Sequence, residues 1–199
     1  MNFRKIDLFV FSILSIACEF LSSFFFKRLD SGFYLSFSVL LFLISSLRWG
    51  IYGVIPFVLS GLPLVYLDNI GYLNGVIYYM GANIFAIIPM VIFHLFIKKD
   101  RDRNWIISSP YRLILYSIFS LLSLSIGKGI ALFIINRDLT AILGYFVSNI
   151  FTFIITIIVL FILTKFKNSL VSDMDVYNNE NKEVLWCLIL KCVSQKAKK

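Results

Sequence analysis

The sequence predicts an all-α integral membrane protein with six transmembrane helices, both termini in the cytoplasm and a short amphipathic helix at the C-terminal end. Three observations predict it. The 199 residues are 59% hydrophobic, with 21 Phe and 10 Tyr and a mean hydropathy of +0.87, which is more apolar than a water-soluble globule of this size sustains. The apolar residues fall into six runs divided by short polar punctuation, and a hydrocarbon core about 30 Å thick needs roughly 20 such residues per helix. The Lys and Arg residues behind the net charge of +8 stand at the ends of those runs and in the tail. There they read as topology signals, so nucleic-acid binding is rejected.

The first run, Ile6 to Phe26, is followed by no A-x-A site and reads as a retained helix rather than a signal peptide. "SIAC" before Glu19 lacks the leucine that a lipoprotein cleavage box carries three residues before its cysteine, and Cys18 reads as a packed residue. The second run, Phe33 to Leu47, and the third, Gly50 to Leu67, are short and meet at Arg48-Trp49. A tight cytoplasmic turn accounts for that junction better than one overlong helix. Gly50, Gly53, Pro56, Gly61 and Pro63 then predict a kinked or broken third helix, whose freed backbone groups need partners inside the protein or in a wet cavity. "DNIGYLN", residues 68 to 74, suits an outer turn that covers a site. The fourth run is Gly75 to Ile97, with His94 near its end as a packed or snorkelling residue rather than a proton relay. "KKDRDRN" after it reads as a solvated cytoplasmic loop, and the last two runs are Leu113 to Ile135 and Leu139 to Leu163.

Residues 1–164 thus form one membrane domain and residues 165–199 a cytoplasmic linker and tail. In "NKEVLWCLILKCVSQKAKK", Val184, Leu185, Leu188, Ile189, Cys192 and Val193 recur at helical spacing beside a basic end. This fits a helix lying on the inner leaflet, with a partner-binding helix as the second reading. Orientation comes from basic residues near the run ends: Arg4, Lys5, Arg48, Lys98, Lys99, Arg101, Arg103, Arg112, Lys165 and Lys167 collect on one side, against Lys27, Arg28 and Arg137 on the other.

With orientation set, depth follows at about 1.5 Å per residue. Glu19 precedes the outer end of the first helix by seven residues, and Lys128 precedes that of the fifth by seven; Asn83 and Asn149 follow the outer ends of the fourth and sixth by eight and ten. Four polar side chains from four helices converge on one layer. Exposing Lys128 or Glu19 to lipid costs about 2.5 to 3.5 kcal/mol on insertion scales, so both are expected to face the bundle interior. Tyr78, Tyr79 and Tyr145 lie slightly nearer the outside, where they wall or roof a pocket. A purely structural alternative stands beside this: Lys128 and Glu19 neutralise each other, the asparagines join helices, and Gly127 and Gly129 permit close packing.

Catalytic signatures are missing: there is no HExxH, G-x-S-x-G or Walker lysine motif, and Cys18, Cys187, Cys192 and the lone His94 support neither a disulfide framework nor a zinc site. The chain is therefore not expected to be an enzyme, nor to hold a metal or cofactor. Without a Walker loop it cannot hydrolyse ATP itself.

Six helices in about 170 residues, the stretch "LRWGIYGVIPFVLSGLPLVYL" at 47–67 and the helix containing "YYMGANIFAIIPM" resemble the substrate-binding S-components of energy-coupling factor (ECF) vitamin transporters, over most of residues 6–164. The resemblance implies a bacterial cell-membrane protein that binds a vitamin or related micronutrient near the extracellular face. It implies as partners an ECF module of one transmembrane coupling protein and two ATPases. The family's AxxxA contact motif in helix 1 is missing, with Cys18 and Ser22 at small-xxx-small spacing instead, and Glu19 is unexpected there. On this reading Lys128 anchors an anionic group of the substrate, Asn83 and Asn149 orient it, and Tyr79 and Tyr145 stack on it. Glu19 either balances Lys128 in the empty site or meets a cationic part of the substrate. Two other classes are a non-transporting membrane scaffold that recruits cytoplasmic partners and a stand-alone ion-coupled carrier. The carrier needs two similar halves or a pair of broken helices at matched positions, and only the third looks broken.

Overall fold

The computed structural model describes residues 3–28, 35–68, 70–97, 103–136, 147 and 149–165, and every element among them is helical. The helices are α1 (Phe3–Arg28), α2 (Phe37–Trp49), α3 (Val54–Ser60), α4 (Leu62–Leu67), α5 (Tyr72–Ile97), α6 (Asn104–Ile107), α7 (Pro110–Asn136) and α8 (Ile150–Lys165). Four helical stretches are long and apolar enough to cross a membrane, namely Phe3–Phe25, Phe37–Leu67, Tyr72–Ile97 and Pro110–Ile135, and a shorter apolar helix covers Ile150–Leu163. Tyr145, the start of the sixth run and the tail after Lys165 lie outside the described residues.

The stretch Phe37–Leu67 is a hairpin, not one rod. Gly50 has φ +62°, a conformation that a residue with a Cβ rarely adopts, and a 3₁₀ turn over Gly50–Gly53 follows. Beyond it the Phe57 ring stacks on Phe42 with centroids 4.9 Å apart, whereas fifteen residues of straight helix would separate them by about 22 Å. The two arms touch closely: the Ser45 hydroxyl donates to the Gly53 carbonyl at 2.8 Å, and a Cβ on Gly53 would lie 2.3 Å from the Ser46 nitrogen.

Two further irregularities shape the interior. Between α3 and α4 the Gly61 N–H turns to the Val58 carbonyl, 3.2 Å away, and the Phe57 carbonyl takes the Ser60 hydroxyl at 2.7 Å and the Asn83 amide at 2.9 Å. The carbonyl is thus satisfied across helices, as a water-poor interior demands. Helix α5 passes from widened π-type turns over Val76–Gly81 to tightened turns over Ala82–Ile87, then again to widened turns over Phe93–Ile97. Pro89 contributes, because it has no N–H for the preceding turn.

The core is apolar side chains from all the helices but α4, among them Phe11, Phe42, Phe57, Met90, Ile106, Leu124 and Leu160. Helix α1 buries one face, including Leu8, Phe11, Ser15, Glu19 and Ser22, while Phe9, Leu14, Phe20 and Leu21 point away from the bundle. Exposed apolar stripes on α1, α7 and α8 suit a hydrocarbon surround.

One end of the bundle is closed by charge. Asp7 on α1 accepts from the Arg48 Nε at 2.9 Å and from the Trp49 indole, and Arg4 sits over the Tyr52 ring. Residues 98–102 of "KKDRDRN", read in the sequence as a solvated loop, lie outside the described residues, but Arg103 departs from that reading, since it is 4% exposed. Its guanidinium donates to the Leu47 and Arg48 carbonyls at 3.1 and 3.0 Å. It caps the C-terminus of α2, where carbonyls lack intrahelical donors. His94, by contrast, is exposed.

Candidate functional site

A cavity of about 250 Å³ opens between α1, α2, α3, α4, α5, α7 and the start of α8. Five of the six side chains singled out in the sequence line it: Glu19, Tyr79, Asn83, Lys128 and Asn149. The sixth, Tyr145, lies outside the described residues. The helical rise that set one common depth therefore also brings these groups around one space.

Each group reaches the cavity for a local reason. Lys128 is 6% exposed and follows Gly127, where a Cβ would lie 2.6 Å from the Phe85 Cβ and 2.8 Å from the Ala82 carbonyl oxygen. Glycine at 127 lets α7 lie directly on the tightened turns of α5. The Lys128 ammonium then donates to the Tyr78 carbonyl at 2.7 Å, within the widened turns of α5. It stands 4.6 Å from the Tyr78 ring centroid and 5.3 Å from that of Tyr79, in range of cation–π attraction.

Glu19 does not hold Lys128 in a direct ion pair. Its Oε2 accepts from the Ser36 and Ser38 hydroxyls at 2.7 and 2.6 Å, and those two hydroxyls lie 2.8 Å apart. The extended backbone at Ser36 is tied in turn to α8, with the Ser36 N–H donating to the Thr152 hydroxyl at 3.1 Å. Hydroxyl donors fix the carboxylate on the cavity wall and leave its interaction with Lys128 to act through space.

Asn83 bridges α5 to the Phe57 carbonyl of α3. It therefore joins helices while lining the cavity. Asn149 is 5% exposed and begins α8, its carbonyl accepting from the Phe153 N–H at 3.1 Å. Tyr79 packs edge-on against Tyr78 with centroids 4.8 Å apart and donates its hydroxyl to Asp68. Asp68, in the turn thought to cover a site, does line the cavity.

Sequence reading missed Ser23, Ser36, Ser38 and Ser60, which also line it. Serine is common throughout the chain, and only a serine pair at i, i+2 straddling the start of a helix could have hinted that two hydroxyls turn to one acceptor. Among the described residues, no group of three or more His, Cys, Asp or Glu could hold a metal ion.

The chain matches no protein-family model, no curated protein and no solved structure. The likeness to S-components therefore stands on the sequence features given above.

Proposed function

We propose that the chain is a membrane-embedded substrate-binding subunit of an ECF-type importer that captures a small water-soluble vitamin or related micronutrient. In this reading six segments cross a bacterial cell membrane: α1, α2, α3 with α4, α5, α7 and α8. Both termini are cytoplasmic, so the Asp7–Arg48 end faces the cytoplasm and the cavity lies toward the extracellular face.

The observation that carries the reading is the cavity itself. Polar groups from α1, α5, α7 and the start of α8 surround one space of about 250 Å³, together with two tyrosines packed edge-on. Ionisable side chains in a membrane interior mark pathways or binding sites unless they satisfy one another, and Lys128 and Glu19 are not in direct contact. Apolar walls with a few convergent polar groups are the usual make-up of a small-molecule site. Since the sequence has no ATP-binding loop, uphill import requires separate ATPases, and the exposed cytoplasmic side is where they would act.

Native mass spectrometry of gently solubilised protein tests the binding role, with a retained small molecule as the expected result. Affinity capture from the native membrane tests the import role, with one membrane protein and two ATP-binding subunits expected. A protein that retains no small molecule and captures no ATPase contradicts the proposal.

A further inference from the structure

At the end of the bundle where Arg48 meets Asp7 and Arg103 caps α2, Arg112 is engaged by neutral groups. Its guanidinium lies 4.3 Å from the Trp105 ring centroid, and its Nη2 donates to the Ser108 hydroxyl at 3.1 Å. The Trp105 ring is set in turn by Phe93 of α5, nearly parallel to it with centroids 6.3 Å apart. A guanidinium has five N–H donors in its plane; one serves Ser108, and stacking on a ring leaves the others at the edge. The elbow between α6 and α7 therefore presents an oriented cation whose partners among the described residues carry no countercharge.

The apolar stretch Pro110–Ile135 begins two residues before Arg112, which puts the guanidinium at the boundary of the hydrocarbon. Leu115, Phe119 and Leu122 follow it at steps of three and four residues, and all three are exposed. They form one stripe that runs from the guanidinium along α7. From Arg112 to Leu122 is ten residues, about 15 Å of helix, or half of a hydrocarbon core about 30 Å thick. That is the depth of one leaflet.

We infer that the α6–α7 elbow binds an anionic phospholipid, its phosphate on the edge of Arg112 and beside Ser108, and an acyl chain along the stripe of Leu115, Phe119 and Leu122. A planar guanidinium takes two phosphate oxygens in parallel, which a single point charge does not. The Ser108 hydroxyl accepts from Arg112 and so keeps its own proton for a further acceptor. A free phosphate would use the head of this site and leave the stripe uncovered, whereas a lipid covers both. The site is separate from the cavity and holds whatever the cavity binds; it requires only that α7 lie in a membrane.

The full-length protein is reconstituted in nanodiscs of phosphatidylcholine with a minority of phosphatidylglycerol, and the lipids that stay bound on release are counted by native mass spectrometry. The wild type is expected to retain phosphatidylglycerol in preference to phosphatidylcholine. Arg112→Gln is expected to lower that occupancy at least about fivefold, the contribution of one basic residue at an anionic membrane surface. Lys5→Gln removes an exposed cation of α1 and is expected to leave it unchanged. Thermal unfolding checks that each variant is folded. If Arg112→Gln does not fold, Arg112→Lys replaces it, since lysine keeps the charge but loses the paired donors, and a fall of about threefold is expected. No preference for phosphatidylglycerol, an equal fall in Lys5→Gln, or undiminished occupancy in the folded Arg112 variant overturns the proposal. Displacement of the lipid by millimolar inorganic phosphate also overturns it, because a free anion would then suffice.

Discussion

Near the start of α1, Asp7 receives Arg48 and Trp49 directly, and Arg103 donates to two α2 carbonyls. Twelve residues further along the same helix, about 18 Å away, Glu19 is held by neutral hydroxyls and Lys128 by a neutral carbonyl. Both regions bury charge, yet in the first Asp7 and Arg48 meet each other, while in the second Glu19 and Lys128 stand on the wall of one cavity without meeting. Contact pairs close a structure, because each partner replaces the water that the other lost. Charges oriented by neutral dipoles keep a field in the space they enclose, and a ligand can use that field.

The comparison can be broken first at the closed end. Asp7→Ala removes the acceptor of both Arg48 and Trp49, and the loss of a largely buried pair is expected to lower unfolding stability by about 3 kcal/mol. Ligand affinity in the fraction that folds stays unchanged. A thermal melt in detergent beside a binding isotherm reads both. Next comes Gly53→Ala, whose Cβ would lie 2.3 Å from the Ser46 nitrogen. Backbone cannot yield as a flexible side chain can, so the hairpin opens at a cost of about 2 kcal/mol, seen as a lower melting temperature.

At the cavity, Ser38→Ala deletes one of the two hydroxyls on Glu19 Oε2. About 1 kcal/mol of positioning is lost, expected as a several-fold weaker affinity with little change in melting. Smallest is Ser15→Ala, in the interior of α1. The Ser15 hydroxyl is buried without a hydrogen-bond partner, and alanine there is expected to shift stability by less than about 1 kcal/mol, in the favourable direction. A large loss on melting would mean that the hydroxyl has a partner.

The cavity half of this contrast was legible in the sequence, whereas the pairing of Asp7 with Arg48 was not, and the reasons are specific. Glu19, Asn83, Lys128 and Asn149 stand out because ionisable and amide groups are rare within apolar runs, and a fixed helical rise converts their positions to depth. The hairpin turn was legible because glycines flank Arg48-Trp49 on the C-terminal side, and the break at Gly61 because Pro63 follows it. Arg103 was misread, since a basic loop looks the same whether its arginines reach water or the end of a distant helix. Ser36 and Ser38 were invisible for the related reason that their acceptor lies 17 and 19 residues away across a packing decision. The uneven turns of α5 left little trace beyond Gly81 and Pro89, yet they position the Tyr78 carbonyl for Lys128.

Lys128→Met bears most directly on the claim that the cavity charges serve a ligand. Methionine is close in length and apolar, and replacing a buried lysine by it is expected to leave the melting temperature unchanged or raised. Titrating wild-type and Lys128→Met protein in nanodiscs with the small molecule retained by the wild type measures both affinities under one condition. At least about a hundredfold loss of affinity, near 2.7 kcal/mol, is expected in a protein that melts no lower than the wild type. Equal affinity for the two proteins, or a variant that unfolds while Asp7→Ala does not, would contradict it.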